Sequence, residues 1–147
     1  MGCSVIAGAI FTKDDKILLI QEGLDFCYGK WNLPAGKVDF GEGLTTAAKR
    51  EALEETGYVA EPRALLGIYN FLDEREHHVI MFNFLMDITG GEIKFDGQEV
   101  INVTWLSFDE VRNMKDSEFR NAKSLRKFVQ DAEQGFTFPI QGLKELC

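Results

Sequence analysis

Over most of this chain apolar residues fall in short runs suited to strands, and in two longer stretches they recur at helical spacing. Residues 3–12 are apolar and carry β-branched side chains, which predicts a strand. Lys13-Asp14-Asp15-Lys16 reads as a polar turn and Ile17–Gln21 as a second strand, so the two are expected to form a hairpin. Residues 22–30 read as a loop, and Trp31–Leu33 as a short extended piece before Pro34. A helix is expected from Leu44 to Thr56. Ala64–Leu72 and Val79–Asp87 read as strands around a charged turn at Asp73–Glu76, with Thr89-Gly90-Gly91 breaking the second one. Val100–Leu106 is another strand. Ser107 and Glu110 then form a capping box for a short helix. A last helix is expected from Ser117, with Phe119, Ala122, Leu125, Val129 and Ala132 on one face. Arg120, Lys123, Arg126 and Lys127 on that helix read as a solvated surface, since acidic residues flank both its ends. Strands and helices in this order predict an α/β fold, a mixed sheet covered by helices.

The helix at 44–56 carries the chemistry. Glu51 and Glu54 stand at i,i+3 and Glu51 and Glu55 at i,i+4, which brings their Cβ atoms to about 5–6 Å. At about 100° per residue, Glu54, Glu55, Leu44, Ala47 and Ala48 all fall within about 60° of Glu51. The acids therefore share the apolar side of the helix, although Leu53 falls on the other side. Carboxylates turned inward need partners. Arg50 supplies one and Lys49 points away, so the placement favours a bound cation over a solvated acidic face. Magnesium is the natural choice, being held by carboxylate and carbonyl oxygens and completed by water and substrate phosphates.

The flanks fit that reading. Pro34-Ala35-Gly36 predicts a sharp loop that can turn the Ala35 carbonyl toward the acids. Gly43 is an acceptable N-cap, and Gly57 stands where a C′ glycine would end the helix. A Glu42–Arg50 pair would fasten the entry loop and orient the arginine.

Composition narrows the remaining classes. The 147 residues are 45% hydrophobic, enough for the core of one domain. No stretch reaches the roughly 18 apolar residues of a membrane span. The start, MGCSVIAGAIF, lacks a basic n-region and reads as a strand, not a signal peptide. Ile6 stands where a myristoylation pattern needs Ser or Thr. Cys3, Cys27 and Cys147 form no close pair, which suits reduced thiols in the cytoplasm. His77 and His78 are adjacent, so on a strand they point to opposite faces and do not share an ion. A net charge of −8 disfavours a nucleic acid polymer and suits a phosphate substrate that arrives with its cation.

Residues 36–58 resemble the box of the Nudix (MutT-like) hydrolase family, G-x5-E-x7-R-E-U-x-E-E-x-G-U, where U is a bulky aliphatic residue. Gly36, Glu42, Arg50, Glu51, Glu54, Glu55 and Gly57 match it. Ala52 and Tyr58 depart from it, at packing positions. The similarity extends to the ILLIQE strand, the WNLPAG lead-in and Glu99 six residues before Trp105. The resemblance implies one Nudix domain over 1–147, with a mixed sheet sandwiched between helices. It implies Mg²⁺-dependent hydrolysis of a phosphoanhydride, with Mn²⁺ as a substitute. The implied ligands are Glu51, Glu54, Glu55 and the Ala35 carbonyl, with Glu99 as an added ligand or base. Glu54 is the expected base, ahead of Glu51 and Glu99, and Arg50 orients a glutamate. Dimers are frequent among similar proteins, so a homodimer is one expectation.

The substrate is sought outside the box. Family members acting on ADP-ribose tend to carry a proline about fifteen residues past the box, and those acting on dinucleoside polyphosphates a tyrosine nearby. Leu72–Glu76 holds neither, and the coenzyme A signature is absent. Nucleoside di- or triphosphates remain, including oxidised purine nucleotides. A thiamine-pathway pyrimidine diphosphate is an alternative. A non-catalytic ligand sensor and a metal-stabilised structural domain are others. Phe26, Tyr28 and Phe71 are candidates to stack on a base, though packing is the commoner role of such residues.

Overall fold

The computed structural model describes residues 2–147. In chain order its strands and helices are β1 (Cys3–Ile10), β2 (Thr12–Lys13), β3 (Lys16–Glu22), β4 (Trp31–Asn32), β5 (Ala35–Lys37), α1 (Leu44–Thr56), β6 (Tyr58–Leu72), β7 (His78–Gly91), β8 (Val100–Ser107), α2 (Phe108–Asn113) and α3 (Ala122–Gln134). One sheet runs β5-β1-β7-β6 and is mixed, with β1 and β7 parallel. In the other, β3 pairs with β2 and β4, and also with β8, all antiparallel.

Side-chain alternation along the strands builds two cores. Ala7, Ala9, Leu18, Ile20 and Phe84 turn to one side, where Ala47, Ala48 and Ala52 of α1 cover them. Ile10, Ile17, Leu19, Val79 and Met81 turn to the other, under α2 and α3. The strands are thus sandwiched between helices, as expected. Ala52, a departure from the box, is fully buried at this contact. The other departure, Tyr58, sets its ring against Phe11 at 5.8 Å.

Four expectations are corrected. The apolar run 3–12 divides: β1 leaves the hairpin to pair with β7 and β5, and only β2 turns back onto β3. The reason is burial on both faces, with Ala9 and Ile10 both at 0% exposure, which suits an inner strand with a parallel neighbour. β6 begins at Tyr58, not Ala64, and absorbs Pro62 at a register shift, where a missing N–H does no harm. Thr89-Gly90-Gly91 does not break β7 but ends it. Gly91 has φ 77° and lies opposite Tyr58, where an added Cβ would fall 2.3 Å from the Gly57 carbonyl oxygen. Close approach of two backbones requires that glycine. The last helix starts at Ala122, with Asn121 accepting from the Ser124 N–H, while Asp116–Glu118 form a 3₁₀ turn. The Ser107–Glu110 capping box forms as expected. No helix among the described residues is long and apolar enough to cross a membrane.

Candidate active site

The helix α1 runs along the free edge of β5. Alternate residues of β5 offer their main chain to β1 or away from it. Ala9 N–H donates to Pro34 O at 2.8 Å, and Val38 N–H to Val5 O at 3.0 Å, so Ala35 and Lys37 face away. Ala35 N–H donates to Glu55 Oε1 at 2.7 Å, and Lys37 O accepts from Arg50 Nη2 at 3.0 Å. The Ala35 carbonyl lies on this same edge, toward the acids. Gly36 completes the contact: a Cβ there would lie 2.1 Å from Glu51 Oε1.

Arg50 organises the carboxylates. Its Nε and Nη2 donate to Glu42 at 2.7 and 2.9 Å, so the pair expected from the sequence forms and is bidentate. Its Nη1 donates to Glu51 at 2.7 Å and to Glu54 at 3.4 Å. The two hydrogen bonds from Arg50 to Glu42, with one from the Asp39 backbone, hold the Glu42 carboxyl down at about 2. Glu51 is raised above the usual carboxylate range by burial, although Arg50 opposes this. Glu55 is raised well above it, first by burial and then by the Glu51 charge. Glu54 is 57% exposed and held only by the long Arg50 contact.

Two inward carboxyls and one already shared guanidinium leave negative charge unmatched. The donor set, carboxylates beside a backbone carbonyl, is the hard-oxygen set that Mg²⁺-like ions take. No three His, Cys, Asp or Glu side chains among the described residues converge as a preformed chelate. Arg50 bridges Glu51 and Glu54 in its place. Glu99 is exposed, in the bend that leads into β8.

Across β5 from α1 lies a cavity of about 220 Å³, bounded by Ala35, Gly36 and Lys37 and by Asn32, Phe71, Arg120, Asn121 and Ser124. Of the three aromatic candidates only Phe71 lines it. The guanidinium groups of Arg75 and Arg120 each lie 5.0 Å from the Phe26 ring centroid, and Tyr28 is exposed. Arg120 also reaches Glu22 at 3.4 Å and Glu74 at 3.0 Å. Glu22, a buried acid, accepts from Asn32 Nδ2 at 3.3 Å. Sequence reasoning missed Glu22, Asn32, Arg120, Asn121 and Ser124, since contacts across 10 to 98 positions leave no local pattern. A larger groove of about 580 Å³ lies between α2 and α3 but holds no residue of the 36–58 motif. Its cations are largely paired, Arg112 with Asp109 and Glu133, Arg126 with Asp116, and Lys127 with Asp131.

The match of the NUDIX domain family to residues 4–130 completes the case. The chain belongs to the Nudix family. It is 37% identical over 121 residues to the ADP-ribose pyrophosphatase of Methanocaldococcus jannaschii, covering 77% of this chain and 72% of that one. It is 39% identical over 92 residues to the 8-oxo-dGDP phosphatase of Homo sapiens, covering 63% of this chain but 27% of that protein. A solved NUDIX hydrolase from Nitrosomonas europaea superposes with a TM-score of 0.89 at 29% identity, covering 98% of this chain and 97% of that chain. The protein is a Nudix-type phosphoanhydride hydrolase, an enzyme of a family that uses a divalent metal.

The Nudix glycine at 36 makes a sharp test. Gly36→Ala should displace the Glu51 carboxylate, because the new methyl group takes its place. A misplacement of about 1 Å costs on the order of 10²-fold in rate. Turnover should fall by about that much while the melting temperature moves little, since the displaced atoms end a side chain. Wild-type kcat would show that Glu51 need not stand there.

Proposed function

We propose that residues 1–147 form one Nudix domain that hydrolyses nucleoside di- or triphosphates, oxidised purine nucleotides included, with Mg²⁺ or, as a substitute, Mn²⁺. The observation that carries this reading is the cavity beside Ala35–Lys37, with the α1 acids on the far side of the same strand. At about 220 Å³ it falls below the roughly 300–1,000 Å³ that houses a whole drug-sized ligand. It suits one end of a substrate, the base, between Phe71 and the polar groups of Asn32, Asn121 and Ser124. The phosphate chain then crosses the free edge of β5 to reach the acids.

The cation would be held by Glu51, Glu54, Glu55 and the Ala35 carbonyl. When bound it supplies charge neutralisation at the phosphoryl oxygens and a lower pKa for attacking water. Glu54 accepts the proton from that water, being exposed and only loosely held. Arg50 keeps Glu51 at the β5 edge, and Glu42 keeps Arg50 there in turn. The three free cysteines, two of them exposed, suit a cytoplasmic setting.

A second reading, ADP-ribose, is favoured by the relative from Methanocaldococcus jannaschii. The missing proline past the box speaks against it. Release of phosphate, pyrophosphate or nucleoside monophosphate decides, measured across standard and oxidised nucleoside di- and triphosphates, ADP-ribose and a thiamine-pathway pyrimidine diphosphate. The highest kcat/KM should fall on a nucleoside di- or triphosphate. Preference for ADP-ribose would establish the second reading, and no release from any of them would leave a sensor or a metal-stabilised domain.

A further inference from the structure

The segment after α3 turns back to the start of the catalytic helix. Phe138 bridges to Leu65 on β6, with N–H to O distances of 2.8 and 3.0 Å in the two directions. A 3₁₀ turn at Ile140–Gly142 follows, and Ile140 and Leu143 pack on the same core as Leu44. The segment then delivers Glu145 to the N-terminus of α1. Its Oε1 accepts from the Leu44 and Thr45 N–H groups, the latter at 3.1 Å, and its Oε2 accepts from Thr45 Oγ at 2.6 Å.

That terminus lacks a cap of its own. Gly43 is the N-cap and has no side chain to offer, and the first turn carries no acid. The opening N–H groups of a helix need acceptors, and the dipole there favours a negative one. A carboxylate 100 positions further along the chain meets both needs. Glu51 follows Leu44 by about two turns on the same rigid rod. Glu42, which clamps Arg50, immediately precedes Gly43. The first turn of α1 is thus joined both to the Arg50 clamp and to the acids.

We propose that Glu145 is a positioning residue: by capping α1 from outside the motif it fixes the register of Glu51, Glu54 and Glu55 against β5. This rests on the hydrolase reading above. The test compares wild type, Glu145→Ala, and Glu145→Ala combined with Gly43→Ser, all in the full chain. Gly43 has φ −69°, so serine fits its backbone, and its Cβ would lie 3.3 Å from Glu145 Oε1, space that the alanine variant opens. The serine then supplies a local cap.

Amide hydrogen exchange at Leu44 and Thr45 should quicken by roughly 5–30-fold in Glu145→Ala, the factor that 1–2 kcal/mol of lost capping gives. The kcat should fall several-fold and half-activating Mg²⁺ should rise. Exchange at Thr45, the N2 amide that the serine hydroxyl can accept from, should return toward wild type in the double variant together with kcat and half-activating Mg²⁺, which packing of the segment alone would not explain. Unchanged exchange overturns the cap. Lost protection with unchanged kcat, or protection restored without kcat, overturns the positioning role. A wild type that hydrolyses no nucleotide fails the hydrolase reading separately, and the exchange comparison still decides whether Glu145 fixes α1.

Discussion

Replacing Glu54 with glutamine should lower kcat by between roughly tenfold and 10⁴-fold, the range a positioned general base contributes, with no change in the melting temperature. Its side chain is 57% exposed, and its one polar contact is a 3.4 Å bond from Arg50 that an amide oxygen also accepts. Exposed substitutions of this kind usually stay within about ±0.5 kcal/mol. Chemistry changes far more, because a neutral amide cannot take a proton from water. Glu51 and Glu55 remain to hold the cation, so half-activating Mg²⁺ should rise much less than kcat falls. Glu51→Gln is the informative contrast. Glu51 is 12% exposed and its carboxyl is raised by burial despite the 2.7 Å bond from Arg50, so a neutral amide that still accepts that bond should cost no stability at neutral pH, while activity falls and half-activating Mg²⁺ rises. If Glu54→Gln turns over like wild type with Mg²⁺ present, the base is another carboxylate.

What the sequence reveals about this site is what lies within a turn or two of helix. The limits of α1, the Gly43 and Gly57 caps and the Glu42–Arg50 pair all depend on neighbours in the motif, and all were legible. So was the inward turn of Glu51 and Glu55, which follows from their angle to Ala47 and Ala48, whereas Glu54, expected on the same apolar side, is 57% exposed. Pairing between distant segments was not. Nothing in residues 3–12 distinguishes a hairpin arm from a strand that joins β7 some 75 positions later. The last helix is expected from Ser117 and is capped by Asn121 instead. Asn121 prevails because Asp116–Glu118 close their own turn, and Phe119, read as the start of a helical stripe, is buried under the Arg126 guanidinium instead. The cavity wall formed by Asn32 and Arg120 and the capping Glu145 share this property: each is an ordinary polar residue until the fold places it.

Gly57→Ala should destabilise the protein by about 2–5 kcal/mol, combining about 1–2 kcal/mol for a side chain in the left-handed region with about 1–3 kcal/mol for an overpacked contact. Gly57 has φ 85°, and an added Cβ would meet the Glu92 carbonyl oxygen at 2.2 Å and the Lys94 nitrogen at 2.6 Å. Both are backbone atoms, and Lys94 N–H is itself bonded to Thr56 O at 2.8 Å, so neither yields cheaply. At about 2–4 °C per kcal/mol for a domain of this size, the melting temperature should drop by roughly 4–20 °C. Gly135→Ala separates the two causes. Gly135 ends α3 at φ 74°, yet an added Cβ there meets nothing within 4 Å, so that variant carries the conformational strain alone. A larger loss at Gly57 than at Gly135 measures the crossing of Gly57 with the segment just after β7. Equal losses would mean that backbone conformation explains everything and the crossing adds nothing. Activity should follow stability only at Gly57, because Glu54 and Glu55 stand in the last turn that this crossing pins, whereas α3 ends far along the chain from every motif acid.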